Sequence, residues 1–195
     1  ESDAAYVQGI FGIGGEARGD LEIVSGSRDS ELTTEDIKDS HSGKIIVGGS
    51  FIGIDAYKKA LELKVRGIVV GGFNYYDLEE VLGYRLGVAI TGTENLGTSL
   101  VVTEGYGNIK MSERTYNLLK SHDGKFVSIN GATQIRAGVI RPEIVIPLEK
   151  SEILDVINSK ERNPGMEIDS LVRVIRAPFF GKIGKVINLP PFCYN

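Results

Sequence analysis

Short apolar triplets followed by paired glycines recur in the first half of the chain. Residues 45–47 precede Gly48 and Gly49, and residues 68–70 precede a second glycine pair. An apolar triplet without polar alternation is typical of a strand that is buried on both faces. Each glycine pair comes before a helical pattern, and strands that alternate with helices favour parallel pairing through crossovers. The pattern predicts an α/β fold with a mostly parallel central sheet.

Amphipathic segments predict the helices. The segment 55–64 places its small and apolar residues on one helical face. Asn74 is a suitable N-cap for a second helix that Gly83 ends, and a third helix is expected over residues 112–120 with Ser112 as its cap. Thr33 is expected to cap a further short helix.

Alternating segments predict added β-hairpins. Residues 5–11 and 19–24 are interpreted as two strands that a glycine-rich turn joins into a hairpin. Residues 126–135 alternate around Asn130 and Gly131, the pair that a type I′ turn prefers, and predict a second hairpin. Further single strands are expected at residues 87–90, 99–102 and 143–146.

Parallel strands bring their carboxyl ends to one edge, where open α/β sheets bind ligands. Backbone N–H groups and short polar side chains at that edge predict a site for a small polar ligand. The candidate ligand-binding residues are Gly48, Gly49, Ser50, Gly71, Gly72, Asn74, Thr91, Thr93, Glu94 and Glu104. The alternative is that the glycines only allow tight turns and the hydroxyls only cap helices.

Two glycine-rich loops have the spacing of phosphate-binding motifs without their context. Residues 12–17 match G-x-G-x-x-A, but strand-like sequence follows where a helix is required. Residues 48–53 have P-loop spacing, but Ile54 and Asp55 stand where Lys and Ser or Thr are needed. Neither loop predicts binding of a dinucleotide or hydrolysis of a nucleoside triphosphate.

Composition restricts the chemistry further. The 195 residues include 22 basic and 26 acidic side chains, and the net charge of −4 disfavours a protein coated in nucleic acid. The single cysteine, Cys193, forms no internal disulfide, so a cytoplasmic location is expected. His41 and His122 lie in polar stretches and are expected to be exposed, and Glu94 and Glu104 are expected to be surface carboxylates. No metal or cofactor is expected, and no apolar run reaches the roughly 20 residues of a membrane span.

The C-terminal part of the chain differs in charge. Residues 160–195 hold six basic and three acidic residues and have a net charge of +3. Because the whole chain has a net charge of −4, residues 1–159 have a net charge of −7. A Pro-Gly break at residues 163–165 separates the parts. We expect an α/β domain over residues 1–150, a linker over 151–165 and a small β module over 166–195. The chain starts at Glu1 without an initiator methionine, and we expect it to be a fragment.

Residues 171–187 within this module follow a strand–loop–strand pattern. Val172 and Val174 share an orientation, Pro178 and Phe179 mark the loop, and Gly184 precedes the second apolar run. This pattern resembles the KOW motif, which occurs in the transcription factor NusG and in several proteins of the large ribosomal subunit. The resemblance implies a small β-barrel that binds RNA or a protein partner.

The resemblance also implies roles for particular side chains of the module. Phe179 or Phe180 would stack on a base. Phosphate contacts would come from Arg173, Arg176, Lys182 and Lys185. The strands that close such a barrel would lie beyond Asn195, so the module is expected to be incomplete.

Together these observations favour a non-enzymatic binding protein. We expect the basic module to contact RNA or a protein, and the α/β body to bind a small polar ligand or a partner. No membrane partner is expected, and the sequence is compatible with a homo-oligomer. Two alternatives stay open: an enzyme that acts at the carboxyl edge with Glu94 or Glu104 as acid or base, and a purely structural subunit.

Overall fold

The computed structural model describes residues 3–83, 96–134, 139–149, 168–174 and 183–189. The chain divides into two compact units, Glu1–Leu148 and Glu149–Asn195. The predicted linker, residues 151–165, and the strand expected at residues 87–90 lie outside the described residues. Within the described ranges, no helix has the length and apolar content that crossing a bilayer requires.

The larger unit combines a ten-stranded mixed sheet with three α-helices among its described residues. The helices are α1 (Ile54–Glu62), α2 (Tyr75–Leu82) and α3 (Glu113–Ser121). The strands are β1 (Ala4–Gln8), β2 (Phe11–Ile13), β3 (Glu16–Ile23), β4 (Glu31–Leu32), β5 (Ile45–Val47), β6 (Phe51–Ile52), β7 (Gly67–Phe73), β8 (Ser99–Tyr106), β9 (Phe126–Asn130) and β10 (Glu143–Pro147).

The three predicted main helices are confirmed, because their signals are local. The Asn74 side chain accepts a hydrogen bond from the Tyr76 N–H at the start of α2. Gly83 ends α2 in the left-handed conformation, with φ of 73°. The Ser112 side chain accepts a hydrogen bond from the Thr115 N–H at the start of α3. The helix expected at Thr33 is wrong: the Thr33 N–H and hydroxyl both donate to Asp36 Oδ2, and this pair closes a turn.

The apolar triplets pair in parallel, as the glycine pattern predicted. Strand β5 lies beside β7 with Ile45 opposite Gly67, and β7 lies beside β8 with Gly67 opposite Ser99. On the side of β5 that faces away from β7, strand β3 pairs with β5 in parallel. Strand β4 pairs in parallel with β6, and β6 pairs in parallel with β7. The parallel part of the sheet therefore contains β3 to β8.

The sheet as a whole is mixed, which corrects the expectation of a mostly parallel sheet. The pairs β1–β10, β10–β9, β9–β3 and β8–β2 are all antiparallel. Strand β2 follows β1 after only Gly9 and Ile10, so the partner of β10 and the partner of β8 belong to one continuous segment. The Gly9 N–H donates to the Pro142 carbonyl and the Ile10 N–H to the Val102 carbonyl. Eight strands thus form a closed ring of neighbours in the order β1, β10, β9, β3, β5, β7, β8 and β2, and β4 and β6 pair outside it.

Both predicted hairpins are wrong, because their strands pair with distant partners. Strand β1 pairs with β10, and β2 pairs with β8, so neither contributes to a hairpin with β3. Strand β9 lies between β3 and β10. Gly131 follows β9 where the backbone passes close to another strand: a Cβ atom at this position would collide with the Ile13 carbonyl. The glycine is required by close packing and not by a hairpin turn.

Two apolar clusters lie in this unit. One includes Ile46, Ile68 and Leu100 from the parallel strands together with Ala56 and Tyr57 of α1. The other includes Ile45, Val69 and Val101, which alternate with those residues along the same strands, together with Ile144 of β10 and Leu119 of α3. Both faces of β5, β7 and β8 are therefore covered, which explains their uninterrupted apolar sequence.

The smaller unit contains a two-stranded antiparallel ribbon, β11 (Leu171–Arg173) and β12 (Ile183–Lys185). Leu171 lies opposite Lys185, and Val172 lies opposite Gly184. The side chains of Leu171 and Lys185 are exposed, Val172 is half-buried and Val186 is buried. The ribbon is therefore exposed to solvent at its Leu171–Lys185 pair.

Candidate functional site

The glycine pairs at the carboxyl edge lie against the chain's own backbone. Gly49 is buried between the carbonyl groups of Ser27 and Ser30, and a Cβ atom there would collide with both. Gly71 is covered by the backbone between Ile109 and Met111. The segments that follow β3 and β8 thus pack onto these glycines, and close backbone approach accounts for the absence of side chains.

The other candidates at this edge are already bonded within the chain. The Ser50 side chain is 2% exposed, and its hydroxyl donates to the Asp29 carbonyl at 2.9 Å. Gly48 is buried against Val70 and Leu32, and Asn74 caps α2 as described above. Helix capping and chain packing thus account for these positions, and ligand binding by them stays a prediction. Thr91, Thr93 and Glu94 lie outside the described residues.

Glu104 is buried, which corrects the expectation of a surface carboxylate. It is 3% exposed and lies near the carboxyl end of β8. Its Oε1 atom accepts a hydrogen bond from the Ser112 N–H at 2.7 Å and lies 3.4 Å from the Thr103 hydroxyl. Because Ser112 is the N-cap of α3, this carboxylate lies at the positive end of the helix dipole. Glu104 thereby connects the strand to the start of the helix, and an acid or base role for it stays a prediction.

His41 is buried, contrary to the sequence-based expectation. It is 4% exposed, its Nδ1 atom accepts a hydrogen bond from the Lys38 N–H, and its Nε2 atom lies 3.5 Å from Glu22 Oε1. Burial lowers the pKa of His41, although the nearby Glu22 carboxylate acts in the opposite direction. Because Nδ1 accepts the Lys38 N–H, the neutral ring carries its proton on Nε2, which faces Glu22.

His122 is also buried, at 8% exposure, and uses the other tautomer. Its Nδ1 atom lies 2.8 Å from the Leu118 carbonyl, which only accepts, so Nδ1 carries the proton and donates it. The Ser121 hydroxyl lies 3.1 Å from the same nitrogen and 2.8 Å from the same carbonyl. Since Nδ1 is the donor, it is not a base for Ser121, and this Ser–His pair lacks the geometry of a nucleophilic dyad.

The candidate nucleic-acid-binding residues belong to the smaller unit. Arg173 lies opposite Ile183 in the ribbon, and Lys185 lies opposite Leu171. The Lys185 ammonium group is 3.6 Å from Asp169 Oδ1, and both side chains are largely exposed. Arg176, Phe179, Phe180 and Lys182 lie outside the described residues, in the connection between β11 and β12.

Neither metal chemistry nor a relationship to known proteins identifies the site. The described part of the chain brings together no group of three or more His, Cys, Asp or Glu side chains that would hold a metal ion. Comparisons with protein-family models, with curated protein sequences and with solved structures found no match to this chain.

Proposed function

We propose that this chain is a binding protein that contacts RNA through the strand–loop–strand segment of residues 171–187. The observation that supports this most directly is the antiparallel pairing of β11 with β12, in the register Leu171 opposite Lys185. That register makes the two ends of the segment neighbours, so residues 174–182 connect adjacent strands. A connection of this kind is what the resemblance to the KOW motif requires.

The charge of the segment favours a polyanionic partner. Residues 160–195 carry a net charge of +3, although the whole chain carries −4. Among these cations, Lys185 is 63% exposed at its side chain and its ion pair with Asp169 is solvent-accessible. An exposed ion pair of this kind contributes at most about 1 kcal/mol, so a phosphate group competes with Asp169 at little cost.

Aromatic side chains in the sequence between β11 and β12 provide a second kind of RNA contact. Phe179 and Phe180 lie between Arg176 and Lys182 in the sequence. Stacking of a base on an aromatic ring contributes about 1–3 kcal/mol and tolerates any base. Cations for phosphates and rings for bases together fit single-stranded RNA. Since the single cysteine fits a reducing compartment, we place this function in the cytoplasm.

The test is the affinity of the full chain for a fluorescently labelled single-stranded RNA, measured by anisotropy as a function of salt. Four phosphate contacts from Arg173, Arg176, Lys182 and Lys185 predict a slope of log affinity against log salt of about −3. The double variant Lys182→Glu, Lys185→Glu is expected to bind at least about tenfold more weakly, with a slope at least about 1.4 closer to zero.

The matched control is Lys110→Glu with Lys120→Glu, which changes the net charge equally on two exposed lysines of the larger unit. This control is expected to retain RNA binding within about twofold, because only the local charge of the ribbon contacts phosphate. Absence of RNA binding at low salt, or equal losses in both double variants, contradicts the proposal. Binding of a protein through the exposed Leu171 and Ile187 would then be the outcome to pursue.

A further inference from the structure

A cleft of about 420 Å³ lies in the larger unit at the edge opposite to the buried glycine pairs. Its walls are residues 14–18, residues 96–99 and Arg66. Strand β3 begins at Glu16, β7 at Gly67 and β8 at Ser99, so all three wall segments lie at the amino ends of parallel strands. We call this space the amino-edge cleft.

Buried hydrogen bonds hold the floor of the amino-edge cleft in place. The Ser99 hydroxyl donates to the Gly15 carbonyl at 2.8 Å, which ties β8 to the start of β3. The Thr98 hydroxyl donates to the Val65 carbonyl at 2.6 Å, and the Tyr57 hydroxyl donates to the Thr98 carbonyl at 2.9 Å. Because these three residues are at most 6% exposed, the backbone that borders the cleft is fixed by buried contacts, whereas the charged side chains at its rim are exposed.

Two guanidinium groups border this cleft. Arg66 Nη1 donates to the Arg18 carbonyl at 2.9 Å, which orients one edge of its fork and leaves its other N–H groups to a ligand. Arg18 Nη2 lies 3.8 Å from Glu16 Oε2, and both of these side chains are largely exposed. The cleft therefore carries two positive charges and one negative charge in a part of the chain that is acidic overall.

We propose that the amino-edge cleft binds a small molecule through an anionic group, either phosphate or carboxylate. The planar fork of arginine pairs with both kinds of oxyanion. Gly97 adopts a φ angle of 81° in the wall, and a Cβ atom there would have no atom within 4 Å, so a ligand can approach the backbone at this position. Gly14, with φ of 77°, instead packs against Ser99. The volume is within the range of small-molecule sites and exceeds the needs of one inorganic ion.

The Glu16 carboxylate determines in which direction a charge substitution changes the affinity for an anion. In the free protein its carboxylate neutralises Arg18 through an exposed ion pair. An anionic ligand competes with that carboxylate for the same guanidinium group. Removing the charge of Glu16 therefore strengthens binding, whereas removing the guanidinium of Arg66 weakens it. A site of the opposite charge preference gives the reverse order.

The test uses pyrophosphate and citrate as probes for the full chain, with affinity from calorimetry and position from the amide signals of Gly14, Gly15 and Gly97. Arg66→Gln is expected to weaken binding about tenfold or more. Glu16→Gln is expected to strengthen it by about two- to fivefold. Arg114→Gln, an equal loss of charge on the exposed face of α3, is expected to leave the affinity unchanged.

The two probes distinguish the chemical source of the anion. Binding of pyrophosphate alone assigns the cleft to phosphate compounds, and binding of citrate alone assigns it to carboxylates. Lack of binding by both probes, or an affinity that Arg66→Gln leaves unchanged, overturns the proposal. Equal weakening by Arg114→Gln shows general charge attraction and overturns it as well. Because the ribbon lysines are not altered, failure here is independent of the RNA test.

Discussion

Replacement of Gly72 by alanine separates the two interpretations of the paired glycines. Gly72 is buried in β7 opposite Gly105 of β8, after an irregularity in the register between Val70 and Gly72. A Cβ atom at this position would overlap the carbonyl oxygen of Gly107. If glycine is needed for packing, alanine destabilises the fold. If it serves only ligand access, alanine leaves stability unchanged.

The expected cost follows from the nature of the obstacle. Overpacking a well-filled interior costs about 1–3 kcal/mol when side chains can adjust. Here the obstacle is backbone, and Gly107 is itself held by a hydrogen bond from its N–H to the Phe73 carbonyl at 2.9 Å. We therefore expect Gly72→Ala to lower the free energy of unfolding by about 3 kcal/mol, at the upper end of that range. For a unit of this size the midpoint temperature falls by about 6–12 °C.

Urea unfolding followed by circular dichroism measures this difference directly. The matched control is Gly26→Ala, because Gly26 is exposed and a Cβ atom there has no atom within 4 Å. The control is expected to be neutral or to stabilise by up to about 1 kcal/mol, since alanine restricts the unfolded chain. A Gly72→Ala variant within about 0.5 kcal/mol of the parent would refute the packing argument.

Two further predictions concern local interactions. Asn74→Ala removes the side-chain acceptor at the start of α2 and is expected to lower the free energy of unfolding in urea by about 1 kcal/mol. Asn74→Asp keeps an acceptor and is expected to retain most of that stability. Equal losses in both variants would count against the capping role. Burial lowers the pKa of His41 in the folded state, so the unfolded state binds more protons near and below about pH 6.5. The contribution of His41 to stability is therefore fully present above that pH and decreases as the pH falls through it. His41→Gln should lose this part of the dependence between about pH 8 and pH 5.5, and an identical pH profile in the variant would exclude His41 as its source.

The sequence predicted those parts of the fold whose determinants are neighbours in the chain. The helices and their caps at Asn74 and Ser112 depend on a few adjacent residues, and they lie where the pattern placed them. The parallel neighbours β5 and β7 were also predicted, because a short crossover allows few arrangements.

Strand partners across long distances were not predictable in this way. The segment 126–130 alternates as a hairpin strand does, but its partners are β3 and β10. An alternating pattern shows that a strand has two different faces, and it does not identify the neighbouring strand. The turn signal at Gly131 arose from a steric requirement against Ile13, for which the local sequence holds no information.

The candidate sites depend on the same long-range information. His41 lies in a polar stretch of sequence and Glu104 follows an apolar run, yet both are buried. A backbone N–H group, from Lys38 and Ser112 respectively, satisfies the buried polar atom in each case. The amino-edge cleft was missed because Arg18 and Arg66 come together only through the strand order. In the local sequence, only the glycine-rich loop at residues 12–17 marks the cleft. This loop is not a dinucleotide motif, because strand β3 follows it where a helix is required.

The closed ring of strands has a consequence for how this protein acquires its structure during synthesis. Strand β1 is synthesised long before β10, its neighbour, and the Tyr6 and Glu143 side chains that meet there are 137 residues apart. Until β10 is available, the edge of β1 presents unpaired N–H and C=O groups. Because pairings between such distant segments slow folding, we expect the edge of β1 to stay open to aggregation for longer than the edges of β5 and β7, which pair after a short crossover.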